Sequence, residues 1–214
     1  MANIEIKEYR CPACGATLTA ELRHSVSTKT DPELRAKVLD GSLFRHKCPE
    51  CGDERGMLFA CLYHDEEHRA LIYLIPGYDR GDPRQAEVLE GLSQLDCAMA
   101  GYAMRIVTTP AQLGEKAAIL EAGLDDRVVE LCKCAAYMQI TDEQPGFELA
   151  ATWFERTDAG DTVTLADASG CGSIVMISGE DGLYDAVKAE YADTLAALPN
   201  GFEVVDILWA SELL

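Results

Sequence analysis

Basic charge is what this chain has least of. Its 214 residues include 18 Lys and Arg against 37 Asp and Glu, a formal net charge of −19. A field of that sign repels phosphate backbones, and the basic footprint that nucleic-acid binding requires first is missing. Long apolar runs are missing too. The longest, residues 70–76, is far short of the roughly 20 residues a membrane helix needs. The N-terminus, MANIEIKE, has no basic stretch followed by an apolar one, so no secretory leader is read there and the cytoplasm is the expected compartment. No G-x-G-x-x-G or G-x-S-x-G occurs, and Gly170-Cys171-Gly172 lacks the Lys and Ser/Thr of a phosphate loop, so it reads as a turn.

Cysteine is plentiful by comparison. Nine cysteines without an export signal, odd in number and clustered, do not read as a disulfide framework. Two copies of one motif stand out, Cys11-Pro12-Ala13-Cys14-Gly15 and Cys48-Pro49-Glu50-Cys51-Gly52. Two thiolates separated by two residues converge on one ion across a tight turn, and the Gly after the second Cys tolerates the positive φ that carries the backbone under the metal. Two such knuckles supply four soft ligands in a closed tetrahedron, the usual structural zinc arrangement. The expectation is one structural zinc per chain on Cys11, Cys14, Cys48 and Cys51, with an iron–sulfur centre as the second metal choice. A redox role for a single C-x-x-C fits two matched pairs poorly.

The doubled C-P-x-C motif resembles the CpXC domain, a bacterial and archaeal family. Residues 31–44 (DPELRAKVLDGSLF), 62–65 (LYHD), 71–76 (LIYLIP) and 121–127 (EAGLDDR) are similar to it as well, so that the resemblance spans about residues 9–139. It implies a fold and a metal site rather than an activity, and all four cysteines carry over.

Periodicity predicts an α+β fold. Strands are expected at Ile4 and Ile6 and over residues 17–27, then a helix opened by Asp31-Pro32 and stopped by Gly41. Apolar runs at 57–63 and 70–75 read as a β-hairpin. A helix from Asp82-Pro83 would bury Val88, Leu92, Leu95 and Met99. A strand over 102–108 leads into Thr109-Pro110-Ala111-Gln112, a capping box with Pro at the first helical position. Asp125 or Asp126 opens the next helix, with Val128, Cys132 and Ala135 on its stripe. The polar segment 141–146 is the expected boundary. Beyond it come strands at 147–153, 162–165 and 173–177, a helix over 182–198 and a last strand over 204–209. The expected domains are therefore residues 1–139, a zinc-ribbon-like module of about 1–80 with a helical insertion and a helical extension over 81–139, followed by a smaller α+β unit over 147–214.

Three functional readings follow. The first is a non-enzymatic protein-interaction or adaptor module. The acidity favours it: residues 1–80 carry 11 Lys and Arg against 13 Asp and Glu, residues 81–214 carry 7 against 24, and such a surface suits a basic protein partner. The second is a zinc ribbon contacting nucleic acid through Arg45, Lys47 and Arg55 beside the second knuckle. The third is a metal-dependent hydrolase, since His64-Asp65-Glu66-Glu67-His68 fits H-x-x-E-H, with His64 and His68 as ligands and Glu67 as base. That chemistry needs a helix, whereas the segment lies between two β-like runs. Cys132 and Cys134 lie about 200° apart on a helix and cannot share a metal. Cys132, Cys61, Cys97 and Cys171 are expected in the core, as are Trp153 and Trp209.

Overall fold

Alternating and helical apolar periods succeed one another along the chain. The computed structural model, which describes residues 4–79, 82, 91–92, 101–179 and 182–214, sorts them into an α+β fold. Two compact units form, Met1–Ala117 with Asn200–Glu203, and Ala118–Pro199 with Val204–Leu214.

In the first unit, β1 (Ile4–Arg10) and β2 (Thr17–Arg23) form an antiparallel hairpin with the first C-P-x-C at its tip. Leu18, Ala20 and Leu22 of β2 alternate inward. The strand expected over 17–27 is two strands in two sheets. It breaks at His24, whose Nδ1 bonds the Ala60 carbonyl at 2.8 Å, and β3 (Ser25–Ser27) then pairs in parallel with β6. Helix α1 (Pro32–Leu39) begins at Asp31-Pro32 as expected. Asp31 holds the N-cap position without a side-chain capping bond; its carboxylate accepts from Thr30 Oγ1 at 2.7 Å instead. A 3₁₀ turn (Ser42–Phe44) leads to the hairpin of β4 (Arg45–Lys47) and β5 (Glu54–Gly56), which carries the second C-P-x-C.

β6 (Cys61–Asp65), β7 (Ala70–Leu74) and β8 (Ala103–Val107) complete a four-stranded sheet in the order β3-β6-β7-β8. β6 and β7 are the expected antiparallel hairpin, and β8 adds in parallel. β7 is buried at Ala70, Leu71, Ile72 and Leu74, as an inner strand covered on both faces should be. Helix α2 (Pro110–Glu121) follows, and its capping box is formed: Thr109 N donates to Gln112 Oε1 at 3.2 Å and Gln112 N to Thr109 Oγ1 at 3.2 Å. The helix expected from Asp82-Pro83, with Val88, Leu95 and Met99, lies outside the described residues apart from Gly91 and the buried Leu92, both helical.

In the second unit, β9 (Ala151–Thr157), β10 (Gly160–Ala166) and β11 (Gly172–Met176) form an antiparallel meander in the order β11-β10-β9. Helix α3 (Asp126–Glu143), capped by Asp125, buries Val128, Val129, Cys132 and Ala136 in one core with Phe154, Val163, Leu165 and Ile177. The helix expected over 182–198 is two, α4 (Leu183–Glu190) and α5 (Ala192–Ala197), divided at Tyr191. The strand expected over 204–209 is a correction. Asp206 accepts from Trp209 N at 2.8 Å, which caps the short helix α6 (Ile207–Ser211) and turns Trp209 and Ala210 into the core. The segment 141–146 still includes the last turn of α3, which packs with the second unit.

Candidate metal centre

Both knuckles are the tips of hairpins, and the chain builds them the same way twice. Cys11 N donates to Ala16 O at 2.9 Å and Gly15 N to Cys11 O at 2.8 Å; Cys48 N donates to Asp53 O at 2.8 Å and Gly52 N to Cys48 O at 2.9 Å. Gly15 and Gly52 both have φ of 77°. A side chain there would meet left-handed backbone strain of roughly 1–2 kcal/mol, which is why each knuckle ends in Gly.

The hairpins bring four sulfurs together although 33 residues separate Cys14 from Cys48. Cys11 Sγ lies 3.7 Å from Cys51 Sγ, Cys14 Sγ lies 3.8 Å from Cys48 Sγ, and all four fall within 4.8 Å of one another. A tetrahedron of thiolates about 2.3 Å from a central ion has edges of about 3.8 Å. The two closest approaches match that edge, so the set fits a single tetrahedral ion. A multinuclear iron–sulfur cluster spreads its thiolates over several irons and needs wider spacing.

One Cys of each pair is buried and one exposed: Cys11 and Cys48 are 3% and 2% exposed, while Cys14 and Cys51 face solvent. Leu18, Tyr9 and Ala16 pack on the buried pair, and the Tyr9 ring meets the His46 ring edge-on at 5.4 Å, joining the hairpins beside the sulfurs. The four thiols perturb one another's ionisation in opposite directions. The backbone N–H of Cys14, then that of Ala13, hold the Cys11 thiol down at about 7 against burial. The N–H of Asp53 favours the Cys51 thiolate, yet burial and the other three thiols push it up to about 12. Four thiols this close cannot all ionise without a cation to offset their charge.

The other candidates separate. His64 lies on β6, and Glu67 and His68 lie in the turn to β7, so the helix that H-x-x-E-H chemistry requires is not there. His68 Nδ1 is held by Asp65 Oδ2 at 2.8 Å. Asp65, which the sequence did not single out, is the centre of this turn. It is 2% exposed, and its Oδ1 accepts from Thr28 Oγ1, Glu67 N and His68 N at 3.2, 3.0 and 3.3 Å. An Asp opening a polar loop between strands is the signal for it.

Of the basic trio, Arg55 Nε lies 2.6 Å from Asp53 and Arg45 lies 3.7 Å from Glu54, so two of the three charges are already answered. Cys61 and Cys132 are buried, and burial pushes both thiols up to about 12. Cys134 is buried too, on the opposite face of α3, where Sγ donates to Ile207 O at 3.3 Å. Cys171 and Trp153 are exposed rather than in the core, because their strands end or face outward there; Trp209 is buried. Cys97 lies outside the described residues. Among the described residues, no helix is long and apolar enough to cross a membrane.

The chain is thus an α+β protein in which two hairpins gather four cysteines that could hold a single metal ion. Residues 9–133 match the family described as CpXC protein, and the chain belongs to that family. No curated protein and no solved structure matches it.

Proposed function

We propose that this chain is a protein-interaction module, not an enzyme, whose N-terminal hairpins are held by one structural zinc on Cys11, Cys14, Cys48 and Cys51. The observation that carries the zinc is the sulfur geometry, 3.7 and 3.8 Å across the two closest approaches, with all four coordination positions supplied by the protein. A closed shell leaves no position for a substrate, so the ion's contribution is to folding. The interaction role rests on charge. The second compact unit carries 18 Asp and Glu against 4 Lys and Arg, a field that draws in basic protein surfaces and repels nucleic acid.

The test is affinity capture from the native host with metal analysis of the purified chain. One zinc per chain, and protein partners that persist through nuclease treatment, are expected. Partners that vanish with nuclease, or nucleic acid in the eluate, would move the function to the nucleic-acid class.

A further inference from the structure

The outer face of the β9–β10–β11 sheet exposes three large apolar side chains where a solvent-facing sheet is normally polar. Val163 and Leu165 of β10 turn into the core, so Thr162 and Thr164 turn outward. The register sets Trp153 and Ile174 on either side of Thr164, and Glu155 and Met176 on either side of Thr162. Ile174 is 70% exposed, Met176 44% and Trp153 37%. Between them the buried Thr164 hydroxyl has no hydrogen-bond partner among the described residues.

β11 is also an edge. It ends its sheet, and among the described residues no strand pairs with its outer side. Its sequence, GSIVM, has none of the charges or prolines that normally guard an edge. Past its C-terminal end lies a cavity of about 200 Å³ lined by Asp161, Asp185, Ile177 and Tyr184 among others. Arg156 Nε stands 3.6 Å from Asp161, while Asp185 is exposed.

We propose that β11 takes an extended, basic segment of a partner protein as a fourth strand. Alternate apolar side chains of that segment cover Ile174 and Met176, and a Lys or Arg enters the cavity at Asp185. Strand addition supplies affinity through main-chain hydrogen bonds and specificity through alternate side chains. Charge selects the occupant. A second copy of this chain would bring two strongly acidic units together, whereas a basic segment neutralises one. This inference rests on the interaction reading and names its surface.

The experiment uses the full zinc-loaded chain and a fluorescein-labelled nine-residue peptide of alternating Lys and Val, read by fluorescence anisotropy. Controls are the same peptide with N-methylated valines and an alternating Glu and Val peptide. The basic peptide binds. N-methylation, Ile174→Thr and Asp185→Asn each weaken it about tenfold or more, with thermal midpoints unchanged because both sites are exposed. No binding by the wild-type chain, or N-methylated peptide and variants binding like their parents, overturns the proposal. So does a sedimenting dimer that Ile174→Thr dissociates, since the occupant would then be a second copy. If native partners resist nuclease but are captured equally by Ile174→Thr and Asp185→Asn, this surface is wrong and the interaction reading stands. If no native partner is captured by the wild type, that reading itself has failed.

Discussion

Asp65 shows how one side chain can organise a turn. Its carboxylate gathers the Thr28 hydroxyl, two backbone N–H groups and the His68 ring in a site 2% exposed. Burial alone would raise its pKa, but the His68 ring and N–H and the Thr28 hydroxyl hold the carboxyl below the ordinary carboxylate range. A depressed carboxyl stabilises the fold above its unfolded pKa of about 3.9 and ceases to do so as pH falls through the folded value. Asp65→Asn keeps one acceptor oxygen and loses the charge. It is expected to cost about 1–3 kcal/mol at pH 6, with the gap to wild type closing below about pH 4. Urea unfolding at both pH values checks this; a gap that does not change with pH would mean that packing, not charge, sets the loss. The cysteines make a second prediction at this scale. If the proposed zinc is bound, Cys14→Ser removes one of its four ligands, and metal affinity should fall on the order of 100-fold or more, measured against a chromophoric chelator. Cys61→Ser touches no ligand and should leave metal affinity unchanged. The four clustered cysteines were legible in the sequence because C-P-x-C-G declares itself within five residues. Asp65 was not, because its hydroxyl donor is 37 positions away.

At the scale of elements, local chemistry announced some boundaries and tertiary packing decided others. The start of α2 was readable because Thr109 and Gln112 cap each other three residues apart. Gln112 Oε1 also accepts from Thr108 N and Thr108 Oγ1, both at 2.9 Å. Gln112→Ala therefore strands several donors at once, and a loss of about 1–2 kcal/mol is expected in denaturant unfolding. Two residues later, Gly114 lies where α2 crosses the end of α1, and a Cβ there would sit 2.8 Å from Leu39 O. Backbone cannot yield as a flexible side chain does, so Gly114→Ala should cost about 1–3 kcal/mol despite its better helix propensity. An increase in stability would show that the two helices part easily. No local pattern revealed that crossing. Nor did residues 204–209, whose apolar run reads as a strand; the Asp206 cap and the burial of Trp209 make the helix. The run at 182–198 has one helical period throughout, yet the helix is divided at Tyr191, whose φ and ψ are −98° and 8°.

The molecule as a whole divides its stability between two sources. Unit 2 has an apolar core built from α3 and the inner face of its sheet, with Val128, Val129, Cys132, Val163, Leu165 and Ile177 fully buried. The cysteine hairpins of unit 1 have no such reserve. β1 is exposed at six of its seven residues, and among the described residues the cluster around the sulfurs has Cys11, Leu18 and Cys48 as buried members, with Ala20 and Leu22 of β2 the other buried apolar residues of that hairpin. Two-stranded hairpins with little apolar burial are at best marginal in water, so the proposed zinc would supply much of their folding free energy. Removing the metal with a chelator under reducing conditions should then unfold the molecule locally. Amide exchange should accelerate over residues 4–23 and 45–56, with β9–β11 and α3 keeping their protection. Adding zinc should restore the slow pattern, and the Cys14→Ser chain should show fast exchange from the start. Unchanged exchange in the hairpins after the metal has demonstrably left would mean that Tyr9, His46 and Leu18 suffice to hold them. The four thiols would then serve the ion, rather than the ion serving the fold.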